Sequence, residues 1–130
     1  ISVPASLEAR SLDPGASLVM EMDTATVTDT RGNSPNASWT VTTICSELSD
    51  GKGNTLGGQN FSYLVKDLSI TGGLVITPHR LTSMHSLGTI LNATSGAGIN
   101  SATWIPVITL SVPIEQIEGT YTGSITHSAF

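Results

Sequence analysis

Positive charge, cysteine, aromatic side chains and long apolar runs are all scarce in this chain, and each scarcity removes a class of protein. Five lysines and arginines stand against ten aspartates and glutamates, a formal net charge of −5. Nucleic acid and anionic membrane surfaces both require a concentrated basic patch, so neither is expected as a partner. The one cysteine, Cys45, excludes an internal disulfide, and the fold must stand on packing. Flanked by Ile44 and Ser46 in a strand-like run, it reads as a small buried apolar residue rather than a reactive thiol. No stretch approaches the roughly 18 consecutive apolar residues that span a bilayer, so no membrane insertion is expected. A secretory leader is not visible either, but the sequence starts at Ile1 rather than Met, so this absence does not argue for a cytoplasmic protein.

Catalytic and metal-binding patterns are missing too. Serines are plentiful, yet no Gly-x-Ser-x-Gly elbow or comparable nucleophile context occurs, and a Ser-His-Asp set is not expected. His79 and His85 fit no zinc spacing, and no second cysteine or carboxylate cluster completes a site. The expectation is a protein without catalytic residues, metal or cofactor.

What the chain does contain is serine, threonine and glycine in the place of most charges, which make up 12% of its residues. Hydroxyl side chains compete for backbone hydrogen bonds in a helix and sit well on a half-buried pleated surface, so strands and turns are favoured. At 130 residues the length suits a single domain over 1–130 with one core.

The clearest period-two pattern runs from Trp104 to Phe130 and reads as two strands joined by a short loop. Trp104, Pro106, Ile108, Leu110 and Val112 share one face of the first. Tyr121, Gly123, Ile125, His127 and Ala129 share one face of the second, with Thr122, Ser124, Thr126 and Ser128 on the other. Earlier in the chain, Ile1 and Val3 before Pro4 predict a short edge strand, and Asp13-Pro14-Gly15 a turn. In the next run Leu18, Met20 and Met22 align, then Ala25, Val27 and Asp29 after a bulge near Asp23 and Thr24. Residues 31–38 form a loop. From Ser38 to Glu47 the strand places Trp39, Val41, Thr43 and Cys45 on one side, with the indole as a plug for one end of the core.

The glycine-rich segment from Asp50 to Asn60 reads as a long flexible surface loop. Residues 61–70 read as a strand with both faces partly apolar, a helical turn being the alternative, and Gly72-Gly73 ends it. Between Leu74 and Ser101 two short strands are expected, with Met84 to Leu87 as a helical turn. About eight strands and no amphipathic helix predict an all-β, two-sheet antiparallel β-sandwich of Ig-like or related Greek-key topology.

Three stretches, ATVTDTRG at Ala25 to Gly32, SWTVT at Ser38 to Thr42, and WIPVITLSVP with GTYTGSITHS at the end, resemble the secreted WxL-like surface domains, in the form found in actinobacterial exported proteins. The resemblance covers nearly the whole length in the same order, apart from Asp50 to Ser101. It implies a secreted, β-rich domain that associates non-covalently with the Gram-positive cell wall through peptidoglycan. Trp39 and Val41 match the first Trp-x-Leu motif, with valine for leucine. His127 and Ala129 stand at the Trp and Leu of the second, a departure that points to the actinobacterial branch and removes the residue types of the distal motif. Wall or ligand contact is accordingly expected of Trp39, Val41, Trp104, Tyr121 and His127.

Other residues invite chemistry and have plainer readings. His127 shares a face with Tyr121 and Ile125, so a hydrogen-bonded core histidine is expected rather than a base or ligand. Asp50, Asn54 and the intervening glycines have the oxygen donors of a calcium loop, but lack further carboxylates and contain Lys52, which favours a plain turn. Glu21, Asp23 and Asp29 read as a solvated face. Lys66, between Leu64 and Leu68 on one face, suits an intramolecular isopeptide bond if buried beside an Asn or Asp, or else a lysine whose stem lies on apolar surface. Asn-x-Ser/Thr sequons begin at Asn36, Asn60 and Asn92, and have meaning as glycan sites only in a eukaryotic secreted protein.

The function expected is that of a non-enzymatic domain at the cell surface or in the cell wall, serving attachment or structural display. Peptidoglycan or another wall polymer and other surface proteins are its expected partners. The alternative is an adhesin-type module that binds carbohydrate or protein through loops at one end of the sandwich. Exposed indoles at Trp39 and Trp104 would favour ligand binding, and buried ones a structural module.

Overall fold

The computed structural model describes residues 6–9, 14–32 and 37–130. Ile1, Val3 and Pro4, Asp13, and residues 33–36 of the expected loop lie outside these. The described strands are β1 (Ser6–Ala9), β2 (Ser17–Glu21), β3 (Ala25–Asp29), β4 (Ala37–Cys45), β5 (Leu48–Ser49), β6 (Thr55–Leu56), β7 (Phe61–Thr71), β8 (Val75–Pro78), β9 (Gly88–Gly96), β10 (Asn100–Ser111) and β11 (Tyr121–Ala129). They build two antiparallel sheets packed as a β-sandwich.

The smaller sheet is organised on β10, which pairs along one edge with β7 and along the other with β2 and β3 placed end to end. Glu21 pairs with Val107 and Ala25 with Trp104, so Met22, Asp23 and Thr24 stand opposite Ile105 and Pro106. The extra residue is the bulge expected at Asp23 and Thr24, and β10 supplies its cause. The Pro106 carbonyl accepts from the Met22 N–H, so the proline nitrogen, which has no hydrogen to give, faces the same break. A proline in a strand paired on both sides is thus placed where the ladder is already interrupted.

The larger sheet repeats the device. Along β11, Ile125 pairs with Cys45 and Ser49 with Thr122, so residues 46–48 stand opposite 123–124 and β4 and β5 are one bulged strand. β1 takes the other edge of β11, β9 and β8 extend the sheet from β4, and β6 extends it from β5. Breaks of this kind raise the count from the expected eight strands to eleven segments.

Six of the ten connections between the described strands join different sheets, from β1 to β2, β3 to β4, β6 to β7, β7 to β8, β9 to β10 and β10 to β11. The last crossing corrects the sequence reading. β10 and β11 are not hydrogen-bonded partners but face one another across the core, because residues 112–120 carry the chain from one sheet to the other. Their alternation is as expected. Trp104, Ile108, Leu110 and Val112 meet Tyr121, Ile125 and His127 in the interior, while Thr122, Ser124 and Thr126 are exposed.

Three further expectations change. The segment from Asp50 to Asn60 is not one long flexible loop: it holds the second strand of the small β5–β6 hairpin and a single 3-10 turn at Gly58–Asn60. Met84 to Leu87 is not helical. Leu81 instead exchanges two backbone hydrogen bonds with Tyr63, and Met84 is buried beneath the loop. In β7, Asp67 has φ 52° and marks an irregularity opposite residues 103–105, which turns Leu68 onto the core. Leu68 therefore does not share a face with Leu64 and Lys66, since one extra residue reverses a period-two pattern.

Candidate functional site

The five residues expected to contact a wall or ligand are all interior: Trp39 is 4% exposed, Trp104 and Tyr121 0%, Val41 0% and His127 8%. Two polar bridges explain how the large ones are accommodated. The Trp104 Nε1–H donates to the Tyr63 hydroxyl at 2.8 Å, and that hydroxyl meets His127 Nε2 at 2.8 Å. An indole nitrogen only donates, so Tyr63 accepts from Trp104 and its own hydrogen is assigned to His127, making Nε2 the acceptor. Burial holds the Tyr63 phenol above its ordinary range, which keeps that hydrogen in place. The His127 ring stands edge-on to both aromatic rings, with centroids 5.6 Å from Tyr63 and 6.4 Å from Trp104.

Tyr63 and Trp104 belong to the smaller sheet and His127 to the larger, so this bridge ties the sheets together. The second lies at the far end, where the Trp39 Nε1–H on β4 donates to Asn100 Oδ1 on β10 at 2.9 Å. Asn100 is wholly buried and also donates to the Gly98 carbonyl. Its role is not visible in a turn-rich stretch such as SGAGINS. His127 is thus the hydrogen-bonded core histidine that its face predicts, held by Tyr63.

Asp29, beside Asn100 in the register, is buried at the same end. Its carboxylate accepts from the Arg31 side chain and from the Arg31 backbone N–H. These bonds, the guanidinium contact foremost, lower its pKa from 3.8 to about 2. Because the folded value is the depressed one, the stabilisation is present above pH 3.8 and is lost as pH falls toward 2. Thermal melts over that window are expected to decline less steeply for Asp29→Asn than for the parent; equal slopes would remove Asp29 from the acid response.

The other candidates resolve locally. Asp50 Oδ1 accepts the backbone N–H of Lys52 at 2.8 Å and of Asn54 at 3.1 Å, and Oδ2 accepts the Asn54 amide at 2.8 Å. Both oxygens are committed to the turn, which is the plain reading of this loop. Lys66 is exposed and pairs with Glu21 diagonally across β10, on the outer face of the smaller sheet. That is a surface ion pair, not the buried setting an isopeptide bond needs. His79 accepts from Asn92, which in turn accepts from Thr40, in an exposed row on the larger sheet. Among the described residues no three of His, Cys, Asp and Glu gather to hold a metal ion. Asn60 donates to the Gly57 carbonyl, and Asn36 lies outside the described residues.

Cys45 is buried, and burial pushes its thiol up to about 11. A thiolate is the reactive form, so the folded domain is expected to resist a disulfide reagent at neutral pH and to react once unfolded in guanidinium. Rapid labelling of the folded protein would contradict that placement.

Two features of ligand-accepting shape are seen among the described residues: a shallow one of ≈ 310 Å³ at the Trp39 end, between Val27 to Arg31 and Ala129 and Phe130, and a more enclosed cleft of ≈ 440 Å³ at the opposite end of the sandwich. The end of β4, the 3-10 turn, the loop from His79 to Leu87 and residues 112–120 converge there. Glu47, Thr55, Gln59, Asn60, His85 and Gln116 are among the residues that supply its polar groups. Gln116 is fixed, its Nε2 donating to the Thr55 carbonyl at 3.0 Å and to the Tyr121 hydroxyl at 2.9 Å, while Tyr121 donates to the Ile117 carbonyl. Gly58 closes the floor, since an added Cβ would stand 2.8 Å from the Met84 carbonyl oxygen. Sequence reasoning missed this site because its residues come from four separate loops. The available signal was PIEQIEG, a turn-like segment that spends two isoleucines where no strand pattern buries them.

No protein-family model matches the chain, and no similar protein is found among curated proteins or among solved structures.

Proposed function

We propose that this chain is a non-enzymatic module of an exported protein at the cell surface or in the cell wall, where it serves attachment or structural display. The observation that carries this reading is the burial of both indoles, each with its N–H satisfied inside the sandwich. A sandwich that commits its tryptophans and last-strand histidine to joining two sheets uses them for rigidity, which suits a load-bearing or displaying element. The likeness of its strand segments to WxL-like domains supports the wall as the setting, with peptidoglycan or another wall polymer and other surface proteins as partners. Attachment then falls to surface groups and not to Trp39, Val41, Trp104, Tyr121 or His127. Incubation of the purified domain with washed Gram-positive cell wall, followed by sedimentation, tests this. Retention in the pellet is expected, and a domain that stays wholly in the supernatant would sink the attachment role.

A second reading, an adhesin-type module that binds through loops at one end, is favoured by the cleft framed by Glu47, Gln59 and Gln116. Loops held by a rigid sandwich are where recognition sites are usually carried.

A further inference from the structure

The loop-end cleft has a chemical bias that narrows its ligand. Its polar side chains are three amides, a hydroxyl, a thiol, one imidazole and one carboxylate, that of Glu47, with Leu56 and Pro113 as apolar wall; no lysine or arginine lines it. An anion entering would meet Glu47 with no lysine or arginine to offset the repulsion. A saccharide would find hydrogen-bonding groups but no large aromatic face to stack on, because no Trp, Tyr or Phe lines the cleft. A cation is matched. The carboxylate is exposed, and the amides of Gln59, Asn60 and Gln116 bring carbonyl oxygens that accept from an ammonium or guanidinium.

The surroundings extend the bias. Residues 112–120, which contribute Pro113 and Gln116 to the wall, also carry exposed Glu115 and Glu118. Ile114 and Ile117 on the same segment are 81% and 57% exposed. Asp50 approaches this segment, with Oδ2 3.6 Å from where a Cβ on Gly119 would lie. A cleft with one carboxylate, next to a segment that exposes two isoleucines and two further glutamates, matches a partner segment that alternates basic and apolar residues. A free amine would leave the isoleucines unused, and the volume exceeds that of a single cation.

We propose that the cleft receives a lysine or arginine side chain from an extended segment of a partner protein, the cation meeting Glu47 and its apolar neighbours resting on Ile114 and Ile117. This rests on the reading of the chain as a module that binds through its loop end. Complementary charge here sets the rate and orientation of encounter, and the hydrogen-bonded pair at Glu47 adds to the lifetime.

The test uses the described domain, isotopically labelled, with three probes: the peptide acetyl-Gly-Leu-Arg-Leu-Gly-amide, its counterpart with glutamate in place of arginine, and chitotriose. The arginine peptide is expected to shift the side-chain amide resonances of Gln59 and Gln116 and the backbone resonance of Ile117, and the glutamate peptide to leave them unmoved. Glu47→Gln is expected to weaken the arginine peptide about tenfold, as loss of a charge-assisted hydrogen bond does, and Glu47→Lys to abolish binding. Glu47 is exposed, so an unchanged melting temperature checks that both variants stay folded. Undiminished binding by Glu47→Gln overturns the proposal. If chitotriose shifts the cleft resonances and the arginine peptide does not, the loop-end reading stands and the cationic ligand falls. If no probe shifts them, both fall.

Discussion

Replacing Trp104 by alanine is expected to destabilise the domain by about 3–5 kcal/mol, the usual range for emptying a buried aromatic site. Trp104 is wholly buried at the centre of β10, the strand that pairs with every other member of its sheet. The substitution leaves a void between sheets and strips the Tyr63 hydroxyl of its donor. Domains of this size are stable by only about 5–15 kcal/mol, so a fall in melting temperature of roughly 10–20 °C is expected, or no cooperative transition at all. Tyr63→Phe separates the two contributions. It keeps the ring and removes the hydroxyl that joins Trp104 to His127, at an expected cost of about 1–3 kcal/mol for the stranded polar groups. Denaturant melts of both variants measure this. A Trp104→Ala cost below about 1 kcal/mol would mean that the indole is not packed as described.

Gly72→Ala is expected to be the most damaging change of a small residue. Gly72 ends β7 with φ +84°, where a Cβ costs about 1–2 kcal/mol by itself. The new methyl would also lie 2.5 Å from Asn100 Cβ and 2.8 Å from the Ile99 carbonyl oxygen. Asn100 has no room to retreat without leaving the Trp39 indole, so overpacking adds about 1–3 kcal/mol. Equilibrium unfolding in urea should show a loss of more than about 2 kcal/mol, with quenched or shifted Trp39 fluorescence in the folded baseline. Gly98→Ala is the control. Its φ is +60°, but nothing lies within 4 Å of the added atom, so the backbone cost alone is expected. Equal losses from the two variants would deny any role to the contact with Asn100.

Both experiments probe the same design. A sandwich with a single cysteine cannot join its sheets covalently, and here hydrogen bonds between interior side chains do so at two levels. Such groups are costly when unpaired and orienting when paired, because in a low-dielectric interior a polar atom has few acceptable positions. Trp39 with Asn100 sets one end of the sandwich, and Trp104 with Tyr63 and His127 sets the middle. The opposite end is left to loops, and the cleft opens there.

Alternation alone was enough to identify β10 and β11, the inward sets headed by Trp104 and Tyr121, and His127 as a core residue. Period two is a local property, and it survives into the structure wherever one face of a strand is buried. The bulge at Asp23 and Thr24 was legible for the same reason, as a point where the pattern loses a step. What the sequence could not carry was pairing. That β10 and β11 face each other across the core, that Leu68 turns inward behind Asp67, and that Leu81 bridges to Tyr63 all depend on which strands meet.

The candidate site divides along the same line. Trp39, Val41, Trp104, Tyr121 and His127 were visible because each stands in a patterned strand, and for that reason each is interior. Glu47, Gln59 and Gln116 stand in unpatterned loops and acquire a common location only when β4, β7 and β10 reach the same end of the sandwich. By itself the sequence determined the class of fold, the faces of β10 and β11 and the scarcity of basic residues, since these follow from local periodicity and composition. Only the tertiary structure decided which strands are neighbours, which polar atoms join the two sheets and where a cleft opens, because each depends on contacts between residues far apart in the chain.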